Sequence, residues 1–291
     1  MKPPPFEYHA PRDLGEALEI LAGAGAGGKV LAGGQSLIPM LNMRIAAPDH
    51  LVDINRLGEL SSIDAGPGGV TVGALARHAE VERAAPHPLM VRALRLVAHP
   101  VIRNRGTVVG SLVHADPAAE LPAVLAVLDG SVRLARRADG GPGGVVTRDV
   151  PASAFFTGPM ESAAEPGELA VSAFFPALPP RTGTAFREVA RRHGDYALAG
   201  VCAVVTLDED LHISAARVGC VGVGPVPAVV DVTGACERRP AATVDWPRVA
   251  AAVRERAEPD GDVHASAAYR LHLVGVLAEQ ALKDAAREAA G

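Results

Sequence analysis

The spacing of apolar positions along the chain changes several times, and each change marks an element. Over residues 13 to about 23, Leu14, Leu18 and Leu21 recur at three- and four-residue intervals with Glu16 and Glu19 between them. This spacing predicts an amphipathic helix with Asp13 as its N-cap. "AGAGG" breaks the helix and "KVLA" follows as a short strand; "HLVDI" (50–54) and "GVTVGAL" (69–75) predict two more strands. Residues 87–98 have helical spacing, and strands are expected around 132–135 and 168–174. Strands and helices mix here without steady alternation, so the expected fold class is α+β. "PALPPRTG" (176–183) is dense in proline and glycine and reads as a linker, dividing the chain into domains over 1–177 and 178–291. The second part predicts strands at "TAFREVARR", "VCAVVTLDE" and "HISAARVGCVGV", then helices over 246–257 and 266–289. A small three-stranded sheet covered by helices, with its own core, is the expectation.

Composition adds limits to that picture. The chain has 291 residues, long enough for two domains. A net charge of −5 and the lack of any Lys/Arg run argue against a nucleic-acid or anionic-membrane partner. The start, "MKPPPFEYHAPRDLGEAL", has no apolar signal-like region, and no apolar run of about 18 residues occurs, so a cytoplasmic chain without membrane insertion is expected. Cys202, Cys220 and Cys236 are odd in number and too scattered for a zinc or iron–sulfur pattern. They read as reduced thiols, two of them in core strands. Only 3% of residues are aromatic, so packing must rely on small side chains.

Three glycine-rich stretches carry candidate chemistry. "GAGAGG" (23–28) fits the G-x-G-x-x-G dinucleotide pattern in letters, but it follows a helix and opens a strand. That order is the reverse of what the motif needs, so it reads as a helix stop. "AGGQS" (32–36) has the right order: a strand, then Gly33 and Gly34, then a helix start with Ser36 as N-cap and Pro39 in the first turn. Paired glycines allow φ > 0 and close approach to the main chain, and free amides at a helix start favour a phosphate. A tight turn without a ligand explains the loop equally well taken alone. A second loop, "RGTVVGSLVHADPAAELP", adds Gly110 and Ser111 in another backbone-exposing turn and the Thr107 hydroxyl. There Asp116 is expected as an N-cap, Pro117 as the first helical residue and Glu120 a turn later. Two such loops could grip opposite sides of a pyrophosphate-containing cofactor.

On these residues the chain resembles a known family. "LAGGQSLIPMLNMRI", "VDINRL", "RNRGTVVGSLVHADPAAELP", "FFTG", "RRHGDYALAG" and "YRLHLVGVLAEQAL" resemble, in order and over nearly the whole chain, the FAD-binding medium subunit of molybdenum hydroxylases of the carbon monoxide dehydrogenase and xanthine dehydrogenase group. The resemblance implies an FAD-binding domain of the vanillyl-alcohol-oxidase (PCMH) type, with lobes over about 1–57 and 58–177, followed by a three-stranded sheet with a helical bundle. It implies that Ala32, Gly33, Gly34, Gln35, Ser36 and Leu37 meet the FAD pyrophosphate, with Thr107, Gly110 and Ser111 on the other side. It places Asp116 and Glu120 at the cofactor, with Glu120 on a hydroxyl, Leu169 by the rings and Tyr196 by the isoalloxazine, and carries Arg187 over weakly. The flavin rather than any side chain would perform the chemistry, and no metal ligands are expected in this chain. Electrons would come from an iron–sulfur small subunit, having left the substrate at a molybdenum-cofactor large subunit, and pass through FAD to NAD, oxygen or a quinone.

Two departures from the family pattern stand out. Val109 occupies the place of a usual glycine in "T-x-G-G-S", and a β-branched residue suits φ > 0 poorly. Arg187 and Glu188 stand where "FREVARR" often carries a lysine. These departures keep open a stand-alone FAD-dependent oxidase or dehydrogenase acting on a small molecule, and, more remotely, a flavin-less structural subunit. The spacing of His114, Asp116 and Glu120 invites a metal assignment, which the expected capping role of Asp116 makes unnecessary.

Overall fold

A computed structural model describes residues 1–138, 144–236 and 238–291. The chain begins with β1 (Glu7–His9), α1 (Leu14–Ala24), β2 (Gly28–Leu31), α2 (Leu37–Asn42) and β3 (His50–Asp53). The three strands pair in parallel in the order β1-β3-β2. Asp13 caps α1 by accepting a 2.8 Å hydrogen bond from the Glu16 amide, and Leu18 and Leu21 are buried beneath it. Gly25, at φ +51, closes the helix, and a 3-10 turn over Gly25–Gly27 leads straight into β2. "GAGAGG" is therefore a helix stop.

The chain continues through β4 (Ile63–Gly66), β5 (Gly69–Gly73), α3 (His78–Ala84), α4 (Pro88–Leu94), α5 (Pro100–Arg103), α6 (Val108–His114) and α7 (Glu120–Val127). It then runs through β6 (Ser131–Arg137), β7 (Val145–Pro151), α8 (Ala152–Phe155), β8 (Phe156–Gly158), β9 (Glu161–Ser162) and β10 (Leu169–Pro176). Five of these strands form an antiparallel sheet in the order β4-β5-β10-β6-β7, and β8 pairs with β9. Every residue of α7 is buried, as expected for a helix apolar on all sides.

The sequence pattern does not predict β4, β7, β8, β9, α3, α5 or α8, and two details of this region differ from expectation. Asp116 does not cap a helix at Pro117; it accepts a hydrogen bond from the Ala118 amide at 2.8 Å and closes a turn, and α7 starts only at Glu120. A polar residue followed by proline signals a turn as readily as a helix start. Gly110 and Ser111 lie inside α6, whose N-cap is Thr107, accepting from the Gly110 amide at 3.1 Å. Val109 is a buried helical residue whose φ is not positive, so its β-branch meets no backbone penalty.

The last part holds β11 (Thr182–Ala190), β12 (Ala197–Leu207), β13 (Ile213–Val221), β14 (Ala228–Asp231), α9 (Trp246–Arg254) and α10 (Ala267–Ala289). Its antiparallel sheet has four strands, not three, in the order β11-β12-β13-β14. The extra strand, "AVVD", is four residues long and follows the proline-rich "GPVP", too short to show a period of its own.

Both faces of this sheet are covered. Val201, Ala203 and Val205 of β12 join α9 and α10 in one core, while Cys202 and the partly buried Val204 turn to the core that holds α7. A strand buried on both sides needs no polar alternation, which explains the unbroken apolar run "ALAGVCAVV". Gly219 on β13 lets α7 approach: a Cβ there would stand 2.7 Å from Cys202 Sγ and 3.0 Å from the Ala123 carbonyl oxygen. All three cysteines are free and buried, and burial pushes their thiols upward, Cys236 to about 11. Among the described residues no helix is long and apolar enough to cross a membrane.

Candidate functional site

The loop between β2 and α2 is built by two glycines with different tasks. Gly34 has φ +74, a conformation L side chains rarely adopt. Gly33 is extended by no such angle, but a Cβ on it would stand 2.3 Å from the Arg105 carbonyl oxygen and 2.9 Å from the Gly106 Cα. The first loop is thus pressed against the backbone that leads into α6. Ser36 does not cap α2: its own backbone is helical and its hydroxyl makes no capping bond. α2 is only six residues long, so the loop's polarity comes from its amides rather than from a long helix dipole. Among the described residues, the amides of Gly34, Gln35 and Ser36 have no hydrogen-bond acceptor.

Side chains that the sequence reading did not single out hold the two loops in register. Asn55 donates to the Ala32 carbonyl at 2.8 Å, and Arg77 donates to Asn55 Oδ1 at 2.6 Å and to the Arg105 carbonyl at 2.6 Å. The His78 amide bonds the Gly106 carbonyl at 2.9 Å, and the His78 ring meets Ser111 Oγ at 3.0 Å. Burial lowers His78 to about 4, so the ring is neutral at physiological pH. The only sequence signal for these residues was the quoted "VDINRL"; nothing local marks Arg77 or His78, which act across sequence gaps of 22 to 33 residues.

These loops line a cavity of about 470 Å³. Of the residues implicated by sequence, Ala32 to Leu37, Thr107, Gly110, Ser111, Asp116, Glu120, Leu169 and Tyr196 all border it. Ile54, Ala74, Val97, Ile102 and Val113 supply apolar wall, and His78 is a further lining residue. Tyr196 is exposed as well as lining, which places it at the rim. Arg187 is not among the lining residues. It projects to the other face of β11, where its Nε donates to Asp284 of α10 at 2.7 Å. Successive strand residues face opposite ways, so the neighbouring Glu188 takes the side of Glu120.

Glu120, the first residue of α7, is 8% exposed. Burial, followed by repulsion from Glu188, pushes its carboxyl up to about 8, and burial raises Glu188 to about 7. Glu188 Oε2 is buried without a hydrogen-bond partner. The cavity therefore pairs a cradle of free amides, suited to an anion, with a protonated carboxyl able to donate or accept a hydrogen bond. Its size is in the range of organic-cofactor sites, and the residues present fit a cofactor that carries a pyrophosphate and ring systems.

Comparison with known proteins gives a consistent picture. Residues 4–178 match the family described as "FAD binding domain in molybdopterin dehydrogenase", and residues 184–285 match "CO dehydrogenase flavoprotein C-terminal domain". The 6-hydroxypseudooxynicotine dehydrogenase complex subunit alpha of Paenarthrobacter nicotinovorans is 38% identical over 99% of this chain and 97% of its own. The carbon monoxide dehydrogenase medium chain of Hydrogenophaga pseudoflava is 35% identical over 98% of both chains. Among solved structures, carbon monoxide dehydrogenase from that organism superposes with a TM-score of 0.86 at 34% identity, covering 99% of both chains. Quinoline 2-oxidoreductase from Pseudomonas putida 86 gives 0.88 at 32% identity, again over 99% of both.

Proposed function

Because this chain belongs to the FAD-binding medium subunits of molybdopterin dehydrogenases, we propose that it serves as the electron-transfer flavoprotein of such a complex, between a partner's iron–sulfur clusters and a terminal acceptor. The observation that carries the reading is the row of unbonded amides at Gly34, Gln35 and Ser36 on the wall of the cavity. There they would receive the cofactor's diphosphate, with the α6 start at Thr107, Gly110 and Ser111 on the opposite side. Glu120, kept protonated by its surroundings, would hydrogen-bond a cofactor hydroxyl, Leu169 would pack on the rings, and Tyr196 would border the isoalloxazine. When bound, FAD supplies redox chemistry that side chains lack, accepting and releasing electrons at its ring system. The protein's part is to hold and orient the cofactor, exclude water from its apolar end and leave the rim at Tyr196 open.

The proposed partners are an iron–sulfur small subunit and a molybdenum-cofactor large subunit, and the proposed domain division is 1–177 and 178–291. The alternative, a stand-alone FAD-dependent oxidase or dehydrogenase, rested on Val109 and on Arg187 and Glu188; Val109 sits without backbone strain in a regular helix and borders the cavity.

An absorption spectrum of the purified chain tests the reading. The two flavin bands, bleaching on anaerobic reduction, are expected. Reoxidation by NAD, air or a quinone, tried in turn, then identifies the acceptor. A chain that stays colourless with excess FAD overturns the proposal.

A further inference from the structure

The register of β1 on β3 sets Glu7 opposite His50 and His9 two residues further along. Residues i and i+2 of a strand share a face, so Glu7 and His9 project together and His50 joins them from the neighbouring strand. His9 Nε2 and His50 Nδ1 stand 3.1 Å apart. The Glu7 carboxylate spans both rings, with one oxygen 3.8 Å from His9 Nε2 and the other 3.6 Å from His50 Nδ1. The rings are tilted by 34° with centroids 5.3 Å apart, so they meet nitrogen to nitrogen and do not stack. Among the described residues, this is the one set of three such side chains whose donor atoms all lie within 4.8 Å of one another.

We propose that Glu7, His9 and His50 form a binding site for a divalent first-row transition cation of the zinc or nickel class, which fastens β1 to β3. A single proton between the two imidazoles satisfies one edge of this triangle, whereas a cation draws on all three lone pairs. Two imidazoles and one carboxylate suit zinc, nickel or copper rather than magnesium or calcium. Ligand bonds of about 2.0–2.1 Å in a tetrahedral shell put donor atoms about 3.3–3.5 Å apart, and the observed separations bracket that value. The Glu7 side chain is 66% exposed, which leaves the remaining coordination position to water. β1 has three residues and pairs only with β3 at the end of its sheet. A link between positions 41 residues apart would therefore restrain this short edge strand. None of the three residues borders the cavity, so the site is separate from the cofactor site.

The test is a calorimetric titration of the full, tag-free, chelator-stripped chain in its flavin-loaded form with zinc chloride. One equivalent is expected to bind, and His9→Ala, His50→Ala and Glu7→Gln are each expected to weaken binding by at least about tenfold. Cobalt in place of zinc should give the visible bands of a tetrahedral shell, absent in His9→Ala and His50→Ala. Hydrogen exchange at the amides of residues 7–9 should slow when zinc is added. Flavin absorbance reports whether each variant is folded, and Glu7→Gln alters only an exposed side chain. Failure of the native chain to bind one equivalent overturns the proposal, as does equal affinity in the His9→Ala/His50→Ala double variant with its flavin retained.

Discussion

Gly33 and Gly34 are adjacent, yet each is required for its own reason, and substitution should separate them. A methyl at Gly33 collides with backbone at Arg105 and Gly106, which cannot swing aside as a side chain would. Gly33→Ala is expected to weaken flavin binding by at least about tenfold, a change of about 1.4 kcal/mol, and so to lower the flavin retained per chain. The absorbance ratio of flavin to protein after gel filtration measures it, and Gly58→Ala, where a Cβ meets nothing within 4 Å, should leave it unchanged. Glu120 and Glu188 make a second residue-level prediction. Both titrate above the ordinary 4.5, at about 8 and about 7, so over that interval the folded chain holds protons that the unfolded chain has released. The stability that these two carboxyls contribute to the flavin-free chain is therefore full below about pH 4.5 and lost as pH rises through the folded values. The slope is about 1.4 kcal/mol per pH unit for each such proton. Melting curves between about pH 6.5 and 8, above the range in which the lowered His78 gives a slope of the opposite sign, should show the decline, and Glu188→Gln should flatten it. Glu120 was visible in the sequence through its motif; Glu188 was visible only as a missing lysine, because its role depends on which way β11 faces.

At the scale of elements, short segments with strong local signals were legible and their mutual contacts were not. Asp13 and the leucines of α1 sufficed to place that helix, since a cap and a 3.6-residue period are properties of a few consecutive residues. The "ADP" turn misleads for the same reason: the local letters permit either a cap or a turn, and the chain takes the turn, with α7 starting at Glu120. What joins the β2–α2 loop to the α6 start is Arg77, which bonds Asn55 and the Arg105 carbonyl. Arg77→Ala should destabilise the chain by about 1.5–3 kcal/mol, the range for hydrogen bonds from a charged donor. Urea unfolding measures this, and the variant should also lose flavin more readily than its stability alone accounts for. A variant with lower stability and normal flavin retention would show that Arg77 supports the fold without setting the cradle.

Across the whole molecule, the four-stranded sheet couples the two cores, with α10 on one face and α7 on the other. Gly219 lies close under α7, where a Cβ would stand 3.0 Å from the Ala123 carbonyl oxygen. Gly219→Ala is expected to cost about 1–3 kcal/mol by overpacking, read from the denaturation midpoint, while Gly234→Ala, with open space around it, should stay within about 0.5 kcal/mol. Since α7 begins with Glu120, displacing the helix should also loosen the cavity. The sequence by itself determined the α+β class, most of the longer strands and helices and the glycine loops, because caps, periods and loop motifs are written in neighbouring residues; of the site residues the family resemblance added, all but Arg187 border the cavity. Only the tertiary structure decided the fourth strand, the exchange of Arg187 for Glu188 beside Glu120, the bridging by Arg77 and His78, and the meeting of Glu7 and His9 with His50. Each of these rests on strand register or on contacts between distant segments, which follow from the packing of the entire chain and leave no pattern in any short stretch of it.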